Sequence, residues 1–178
     1  MTGFDRAVDK WVERHRNPAL DGVFYALSSA ADHSLLWVAI GALRQAAGRG
    51  RPGSALRLTA VLAVESALTN GPIKALFRRV RPAPDPDRPL PLLFGLRQPV
   101  TSAFPSGHAT SAFTAAGFLS RDDPWGPAYH LLAAAVAASR VYVRLHHASD
   151  VLAGAALGVA FGRVARRFAP GGNSQPTG

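Results

Sequence analysis

The amino-acid sequence predicts an all-α integral membrane helical bundle, with five or six transmembrane helices and an N-terminal amphipathic helix. The first observation is that apolar residues cluster in stretches near the roughly 20 residues that a membrane-spanning helix needs. These stretches cover residues 22–43, 56–77, 104–120, 127–143 and 147–168. The second is that clusters of proline, glycine and charged residues separate them, as expected of turns between helices. The third is length, because 178 residues suffice for one domain and do not favour two.

Composition and charge restrict the class of partner. The net charge is +9, from 20 Lys and Arg against 11 Asp and Glu. Nearly all the cations are arginine, which suits bidentate contact with anions. No basic stripe interleaved with aromatic residues and no zinc spacing indicates a nucleic-acid module, so we expect an anionic lipid and no nucleic acid. The mean hydropathy of only +0.07 keeps open a soluble, alanine-rich helical bundle.

The first predicted element is an amphipathic helix over residues 4–16. Its apolar positions follow helical spacing and are Phe4, Val8, Trp11 and Val12. We favour a helix that lies in the membrane interface with Trp11 as an anchor, over one that caps a soluble bundle. Asn17 and Pro18 end it, because the residue before a proline is displaced from helical geometry. No removable signal peptide is expected.

The first apolar stretch contains a possible break. Asp32 and Ser34 are good N-cap residue types, so 20–31 and 34–47 can also be two shorter helices, which leaves the number of spans at five or six. Charged residues within the stretches, among them Asp32, His33 and Glu65, must face the bundle interior or form pairs.

Breakers define the remaining elements. Residues 48–54 read as a turn, and residues 121–127 separate two helices. Residues 82–105 carry seven prolines and cannot form one continuous helix, so we expect a long loop beside the functional site. After Arg167 the sequence becomes polar. We therefore expect one domain over residues 1–168 and a disordered tail over 169–178.

Three motifs, far apart in sequence, supply residues suited to binding and attacking a phosphate. They read K-x6-R-P from Lys74 to Pro82, P-S-G-H from Pro105 to His108, and S-R-x5-H-x3-D from Ser139 to Asp150. Together they resemble the signature of the type 2 phosphatidic acid phosphatase family. The wider superfamily of that family includes soluble bacterial acid phosphatases and vanadium haloperoxidases.

The third motif contains the candidate nucleophile. His146 and Asp150 are four residues apart on a predicted helix, so the carboxylate can accept a hydrogen bond from one imidazole nitrogen and direct the other outward. The resemblance implies that His146 forms a phosphohistidine and that Asp150 holds its tautomer. On the residues alone, a helix-start histidine with a capping aspartate remains the alternative. His147 points about 100° away on a helix and is treated as a neighbour.

The second motif precedes an apolar helical run. Small residues at a helix N-terminus let backbone N–H groups approach an anion. We expect Ser106 to donate to a phosphate oxygen, Gly107 to supply a backbone N–H, and His108 to protonate the leaving group. A helix-capping role for Ser106 is compatible with this.

Cations complete the predicted site. Lys74, Arg81 and Arg140 are expected to bind the phosphoryl oxygens, so that no metal and no cofactor is required. No carboxylate cluster for Mg²⁺ and no H-E-x-x-H zinc pair is present in the sequence. Three further arginines, Arg78, Arg79 and Arg144, are interpreted as interfacial charges. Ser139 has no sharper predicted role than packing or a hydrogen bond.

The expected function is a membrane-bound, metal-independent lipid phosphate phosphatase. The resemblance implies phosphatidic acid, phosphatidylglycerol phosphate or polyprenyl diphosphate as the type of substrate. The alternative is a soluble acid phosphatase that acts on small phosphate esters. No obligate protein partner is evident. If the chain is multi-pass in the cell membrane, the arginine-rich end opposite the motifs is cytoplasmic and the site faces outside the cytoplasm.

Overall fold

The computed structural model describes residues 1–83 and 100–168, and these residues form seven α-helices. The helices are α1 (Gly3–His15), α2 (Pro18–Ala30), α3 (Leu35–Ala46), α4 (Ser54–Leu68), α5 (Gly107–Leu119), α6 (Gly126–Tyr142) and α7 (Ala148–Phe168). Two 3-10 turns cover Asp32–Ser34 and Ser120–Asp122, and a π turn covers Thr69–Ile73. The described residues contain no strand, so the all-α prediction is confirmed for them. The predicted tail and residues 84–99 of the predicted loop lie outside the described part of the chain.

Helix α5 is central, and its closest neighbour is α7. A Cβ atom added at Gly154 would overlap the carbonyl oxygen of Ser106, and one added at Gly158 would overlap that of Thr110. Glycine at these two positions therefore lets the two helix backbones approach closely. The approach brings the starts of the helices together, and the Ser106 N–H donates to the Asp150 carbonyl over 3.0 Å.

The other side of α5 packs against α3, α4 and α6. Alanines of α5 form one side of this core, and Trp37, Leu58 and Val136 fill the other, with 1%, 0% and 0% of their surfaces exposed. Burial of each such side chain contributes on the order of 1.5–3 kcal/mol. The short alanine side chains and the bulky residues opposite them position the start of α5 against the ends of α4 and α6.

Glu65 is a buried charge within this core. Its carboxylate accepts hydrogen bonds from Thr69 Oγ1 at 2.8 Å and from Ser111 Oγ at 2.6 Å. The prediction that Glu65 faces the bundle interior is confirmed. Its partners come from the next helical turn and from α5, so it joins α4 to α5 near the site.

Helix α1 exists as predicted, and its apolar side chains are divided between the bundle and the surface. Val12 is buried, whereas Phe4 and Trp11 are 51% and 60% exposed. The fully buried residue of the first turn is a charged one, Asp5. Asp5 is tolerated there because Thr2, Arg79 and Ser149 all donate to its carboxylate.

The first apolar stretch forms two helices, as the alternative with a break expected. Helices α2 and α3 meet at an angle of 60°, and His33 and Ser34 between them have positive φ values of 52° and 61°. Tyr142 donates to Asp21 near the start of α2, and Arg140 donates to Ser28 near its end. Both ends of α2 thus contact the last turns of α6, so α2 lies across one end of the bundle.

The number of membrane spans is not confirmed. Among the described residues one helix, Ala148–Arg167, is long and apolar enough to cross a membrane, and the bent α2 and α3 pair qualifies as a second if counted as one span. Helices α4, α5 and α6 have 15, 13 and 17 residues. At about 1.5 Å per residue these fall short of a hydrocarbon core of about 30 Å. The π turn after α4 and the proline before α5 shorten the helices that the sequence pattern predicted.

Candidate active site

A cleft of about 480 Å³ opens at the end of the bundle that α2 crosses. It lies where the π turn after α4, the start of α5, the end of α6 and the segment before α7 meet. Six of the eight predicted site residues line it, namely Lys74, Arg81, Gly107, His108, Arg140 and His146. The three motifs therefore contribute residues to one cleft. The other two, Ser106 and Asp150, are fully buried and lie outside the lining formed by described residues.

The hydrogen bonds of His146 determine its tautomer. Nδ1 lies 2.8 Å from the carbonyl oxygen of Ala103, and Nε2 lies 3.1 Å from Arg81 Nη1. A carbonyl oxygen only accepts, so Nδ1 carries the proton. A guanidinium only donates, so Nε2 carries the lone pair. The imidazole thus presents a nucleophilic nitrogen beside a cation.

The surroundings keep His146 neutral. Its side chain is only 2% exposed. Burial lowers its pKa well below the ordinary value, and the positive charges of Arg81 and Arg140 lower it further. Neutral imidazole is the form that can attack phosphorus. Burial also lowers the pKa of Arg81, which nevertheless stays a cation at physiological pH.

The expected hydrogen bond between Asp150 and His146 is absent from the structure. Asp150 Oδ2 lies 3.9 Å from His146 Nδ1 and instead accepts the backbone N–H of His147 at 2.8 Å. The reason is that α7 begins at Ala148, so His146 precedes the helix and the two residues do not share a helical face. Asp150 caps this helix start, and its charge remains near the imidazole. The group that holds the tautomer of His146 is therefore the backbone carbonyl of Ala103 and not the Asp150 carboxylate.

Arg79 and Asp5 are contacts of the site that the sequence interpretation missed. Arg79 Nη1 lies 3.0 Å from Asp150 Oδ1 as an ion pair without the alignment of a hydrogen bond, and its Nη2 lies 2.6 Å from Asp5 Oδ2. Asp5 also accepts from the backbone N–H and the hydroxyl of Ser149, at 3.0 and 2.7 Å. Arg79 is therefore a structural ion-pair partner rather than an interfacial charge. Sequence distance hides the link, since 144 residues separate Asp5 from Ser149.

His108 faces a carboxylate across the cleft. Its Nε2 lies 2.6 Å from Oδ1 of Asp32, in the turn between α2 and α3. Arg140 Nη1 lies 3.5 Å from the same oxygen. Asp32 was expected to face the interior or pair, and it pairs with two predicted site residues.

The predicted phosphate-binding cations donate hydrogen bonds to neutral groups, and Arg140 in addition pairs with Asp32. Lys74 Nζ donates to Asn70 Oδ1 at 2.8 Å. Arg140 donates to Ser28 Oγ at 2.5 Å, and Arg81 donates to the Leu145 carbonyl at 2.7 Å. These contacts fix the positions of the cations without neutralising their charge. The cleft therefore presents a concentrated positive charge to an anion.

The second motif forms the start of α5. Ser106 is its N-cap, and its hydroxyl accepts the Ala109 N–H at 3.5 Å. The Ser106 N–H donates to the Asp150 carbonyl, so both of these contacts of Ser106 are with backbone groups. Gly107 does line the cleft, and a Cβ atom there would lie 3.0 Å from Asn70 Oδ1. The N-terminus of α5 is thus open to an anion at Gly107.

The remaining motif residues have structural contacts. Ser139 is fully buried, and its hydroxyl donates to the Val136 carbonyl at 2.6 Å. His147 Nδ1 lies 3.7 Å from Asp9 of α1, and His147 is not among the residues that line the cleft, in agreement with its interpretation as a neighbour. Among the described residues, no group of three or more His, Cys, Asp or Glu is placed to hold a metal ion.

A family comparison agrees with this geometry. Residues 54–173 match the family model of the PAP2 superfamily, and this range contains all three motifs and all eight predicted site residues. The chain belongs to the PAP2 superfamily and is a phosphatase of this family. The resemblance to type 2 phosphatidic acid phosphatases is thereby confirmed.

The chain is also similar in sequence to proteins that are named as phosphatases. The chain is 39% identical over 132 residues to the decaprenylphosphoryl-5-phosphoribose phosphatase of Mycolicibacterium smegmatis. The aligned region covers 72% of this chain and 68% of the relative. It is 38% identical over 92 residues to the enzyme of that name from Mycobacterium tuberculosis, covering 52% and 49% of the two chains.

Two solved structures share the fold. The transmembrane PAP2 type phosphatidylglycerolphosphate phosphatase of Bacillus subtilis superimposes with a TM-score of 0.72 at 25% identity, covering 92% of this chain and 83% of that one. LpxE of Aquifex aeolicus superimposes with a TM-score of 0.71 at 22% identity, covering 94% and 99%. At that identity the second likeness concerns the fold alone.

Proposed function

We propose that this protein is a membrane-bound lipid phosphate phosphatase that hydrolyses a phosphomonoester through a phosphohistidine at His146. The observation that carries this proposal is the tautomer of His146. Its Nδ1 is held by the Ala103 carbonyl, and its Nε2 lone pair faces Arg81 in a cleft lined by Lys74 and Arg140. A phosphoryl group bound by these cations has its phosphorus next to a neutral, buried nucleophile.

In the first step the Nε2 lone pair of His146 attacks phosphorus. An N–P bond forms as the bond between phosphorus and the ester oxygen breaks. The leaving oxygen takes a proton from the imidazolium of His108 and departs as an alcohol. Lys74, Arg81 and Arg140 stabilise the charge on the equatorial oxygens, and the backbone N–H at Gly107 adds a neutral donor.

In the second step a water molecule attacks the phosphohistidine. His108, now neutral, accepts a proton from that water as a general base. The N–P bond breaks, its electron pair returns to Nε2, and inorganic phosphate leaves. The protein ends the cycle with both histidines in their starting protonation states.

The proposed substrate is a polyprenyl-linked phosphomonoester. Support comes from the two mycobacterial relatives, which are named for a decaprenylphosphoryl phosphoribose and are the more similar in sequence. The Bacillus neighbour, named for phosphatidylglycerol phosphate, is 25% identical. Phosphate release from decaprenylphosphoryl-5-phosphoribose, phosphatidylglycerol phosphate and phosphatidic acid should be fastest with the first.

A membrane location is part of this proposal. The transmembrane Bacillus neighbour supports it, and so do large apolar side chains on the outside of the bundle. Leu43, Leu56, Val64, Leu131 and Leu152 are between 58% and 74% exposed. We place the cleft outside the cytoplasm by the positive-inside rule, because the opposite end carries Arg44, Arg49, Arg51, Arg57, Arg121, Arg163, Arg166 and Arg167, whereas the arginines at the cleft end include Arg81 and Arg140 of the proposed phosphate site and the ion-paired Arg79 and Arg144.

Two experiments test the function and the location. His146→Ala should abolish phosphate release, while His147→Ala, the matched neighbour, should retain it; full activity of His146→Ala would refute the mechanism. For the location, the native chain has no thiol. Single cysteines at Val100, near the cleft, and at Arg49, at the other end, should give labelling of position 100 alone by an impermeant maleimide on intact cells. Labelling of position 49 alone would reverse the orientation.

A further inference from the structure

The turn between α2 and α3 places a carboxylate in the cleft. Asp32 Oδ1 lies 2.6 Å from His108 Nε2, and the two residues are 76 positions apart in the sequence. Both line the cleft, and the Asp32 side chain is 28% exposed. None of the three motifs includes this residue.

The contact assigns the ring protons of His108. An ionised carboxylate only accepts, so Nε2 carries a proton that is directed at Asp32. In the imidazolium form the second proton is on Nδ1, and this is the proton available to a leaving group. Asp32 therefore selects which nitrogen acts and stabilises the charged form of the ring.

The position of Asp32 is itself fixed. Arg140 Nη1 lies 3.5 Å from the same carboxylate oxygen, and Arg140 is anchored by Ser28 at the end of α2. The following residues, His33 and Ser34, are both in the left-handed region of backbone space. Two consecutive non-glycine residues in that region are uncommon and are retained where the surroundings require them. The break between the helices thus directs Asp32 into the cleft.

We propose that Asp32 is the positioning residue of the leaving-group acid and acts through His108. This inference rests on the proposed function, because it assumes that His108 protonates the ester oxygen. Asp32 does not contact the phosphorus or exchange a proton with substrate. The groups that face His108 are Asp32 from the turn, Arg140 from α6, and Lys74 and His146 from the adjoining segments. Asp32 is the anionic member of this set.

The test compares leaving groups. An alkyl phosphate needs protonation of its leaving oxygen, whereas p-nitrophenyl phosphate has a leaving group that departs without an acid. Asp32→Asn should lower kcat/KM for the alkyl ester roughly 10²-fold, at the low end of general-acid effects, and lower that for the aryl ester less than about 3-fold. Asp32→Glu should recover part of the loss. Asp21→Asn, a carboxylate paired with Arg16 and Tyr142 outside the cleft, is the matched control and should show no leaving-group bias.

A double-mutant cycle gives a second readout. If Asp32 acts through His108, then Asp32→Asn should cause no further loss on the alkyl ester in a His108→Gln background. Equal losses on both esters, or additive losses in the cycle, would overturn the inference. If Asp32→Asn does not yield folded protein, the same comparisons are made with Asp32→Glu, which should show a smaller bias of the same sign; its absence would also overturn the inference. A fully active His146→Ala would instead refute the proposed function, so the two failures are distinguishable.

Discussion

Replacement of Asp5 by alanine should destabilise the protein and disturb the start of α7, which follows His146, at the same time. Asp5 is fully buried and accepts hydrogen bonds from Thr2, Ser149 and Arg79, the last at 2.6 Å. Removing one partner of a buried ion pair costs about 3–5 kcal/mol. The Arg79 side chain is 23% exposed, so water replaces part of the interaction. We therefore expect a loss of about 3 kcal/mol, at the low end of that range.

The assay is thermal unfolding of the detergent-solubilised protein. In a domain of this size, about 3 kcal/mol corresponds to a fall in Tm of roughly 6–12 °C. Asp5→Asn keeps an acceptor for Ser149 and loses the charge, so its Tm should fall less. Asp9→Ala, in which the partly exposed Asp9 contacts His147 at 3.7 Å, is the control and should change the Tm little. An unchanged Tm in Asp5→Ala would refute the assignment of this network.

The pH dependence of this effect has a defined sign. Burial raises the pKa of Asp5, but hydrogen bonds from Thr2 and Ser149 outweigh burial and hold the pKa well below its ordinary value. A carboxyl whose folded pKa is depressed stabilises the fold above its unfolded pKa, about 3.9. The Tm difference between wild type and Asp5→Ala should therefore be complete at pH 5 to 8, which is about 1–4 units above the unfolded pKa, and shrink as the pH falls below about 4.

Three further predictions concern packing, protonation and metal removal. Gly158→Ala should lower stability by about 1–3 kcal/mol, because the added Cβ overlaps the Thr110 carbonyl, whereas Gly22→Ala, with nothing within 4 Å, should be neutral or stabilising in the same denaturation assay. The pKa of His146 is depressed in the folded state, so the unfolded state takes up the extra proton as the pH falls through about 6.5. Wild type should therefore lose more Tm between about pH 7 and 5 than His146→Gln does. Phosphate release should persist in excess EDTA and be inhibited by vanadate, since Lys74, Arg81 and Arg140 supply the charge; loss on chelation that Mg²⁺ restores would contradict this.

Six of the residues that line the cleft could be identified from the sequence because they lie in short motifs. The motifs are far apart in sequence, but the end of α4, the start of α5, the end of α6 and the segment before α7 lie on the same side of the bundle. This arrangement brings His146 to the same cleft as Lys74, Arg81, His108 and Arg140. Spacing alone misassigned the partner of His146. The four-residue interval to Asp150 implies a shared face only inside a helix, and α7 begins two residues after His146.

Other contacts of the site have no signal in the sequence. The Ala103 carbonyl that fixes the tautomer is a backbone group, which any residue supplies. The sequence marks Asp32 only as a charge within an apolar stretch and gives no indication for Asp5, and their partners His108 and Ser149 lie 76 and 144 residues away. These contacts form because α1 packs on α7 and the turn before α3 contacts α5, and the tertiary structure is needed to identify them.

The most direct test of the phosphohistidine mechanism is the site of phosphorylation during turnover. A rapid acid-free quench of His108→Ala with p-nitrophenyl phosphate, followed by peptide mass spectrometry, would identify the modified residue. The mechanism predicts one base-stable, acid-labile phosphate on His146 that builds up within a single turnover and is absent from the double variant with His146→Ala. Phosphate on another side chain, or steady turnover by the double variant, would contradict it.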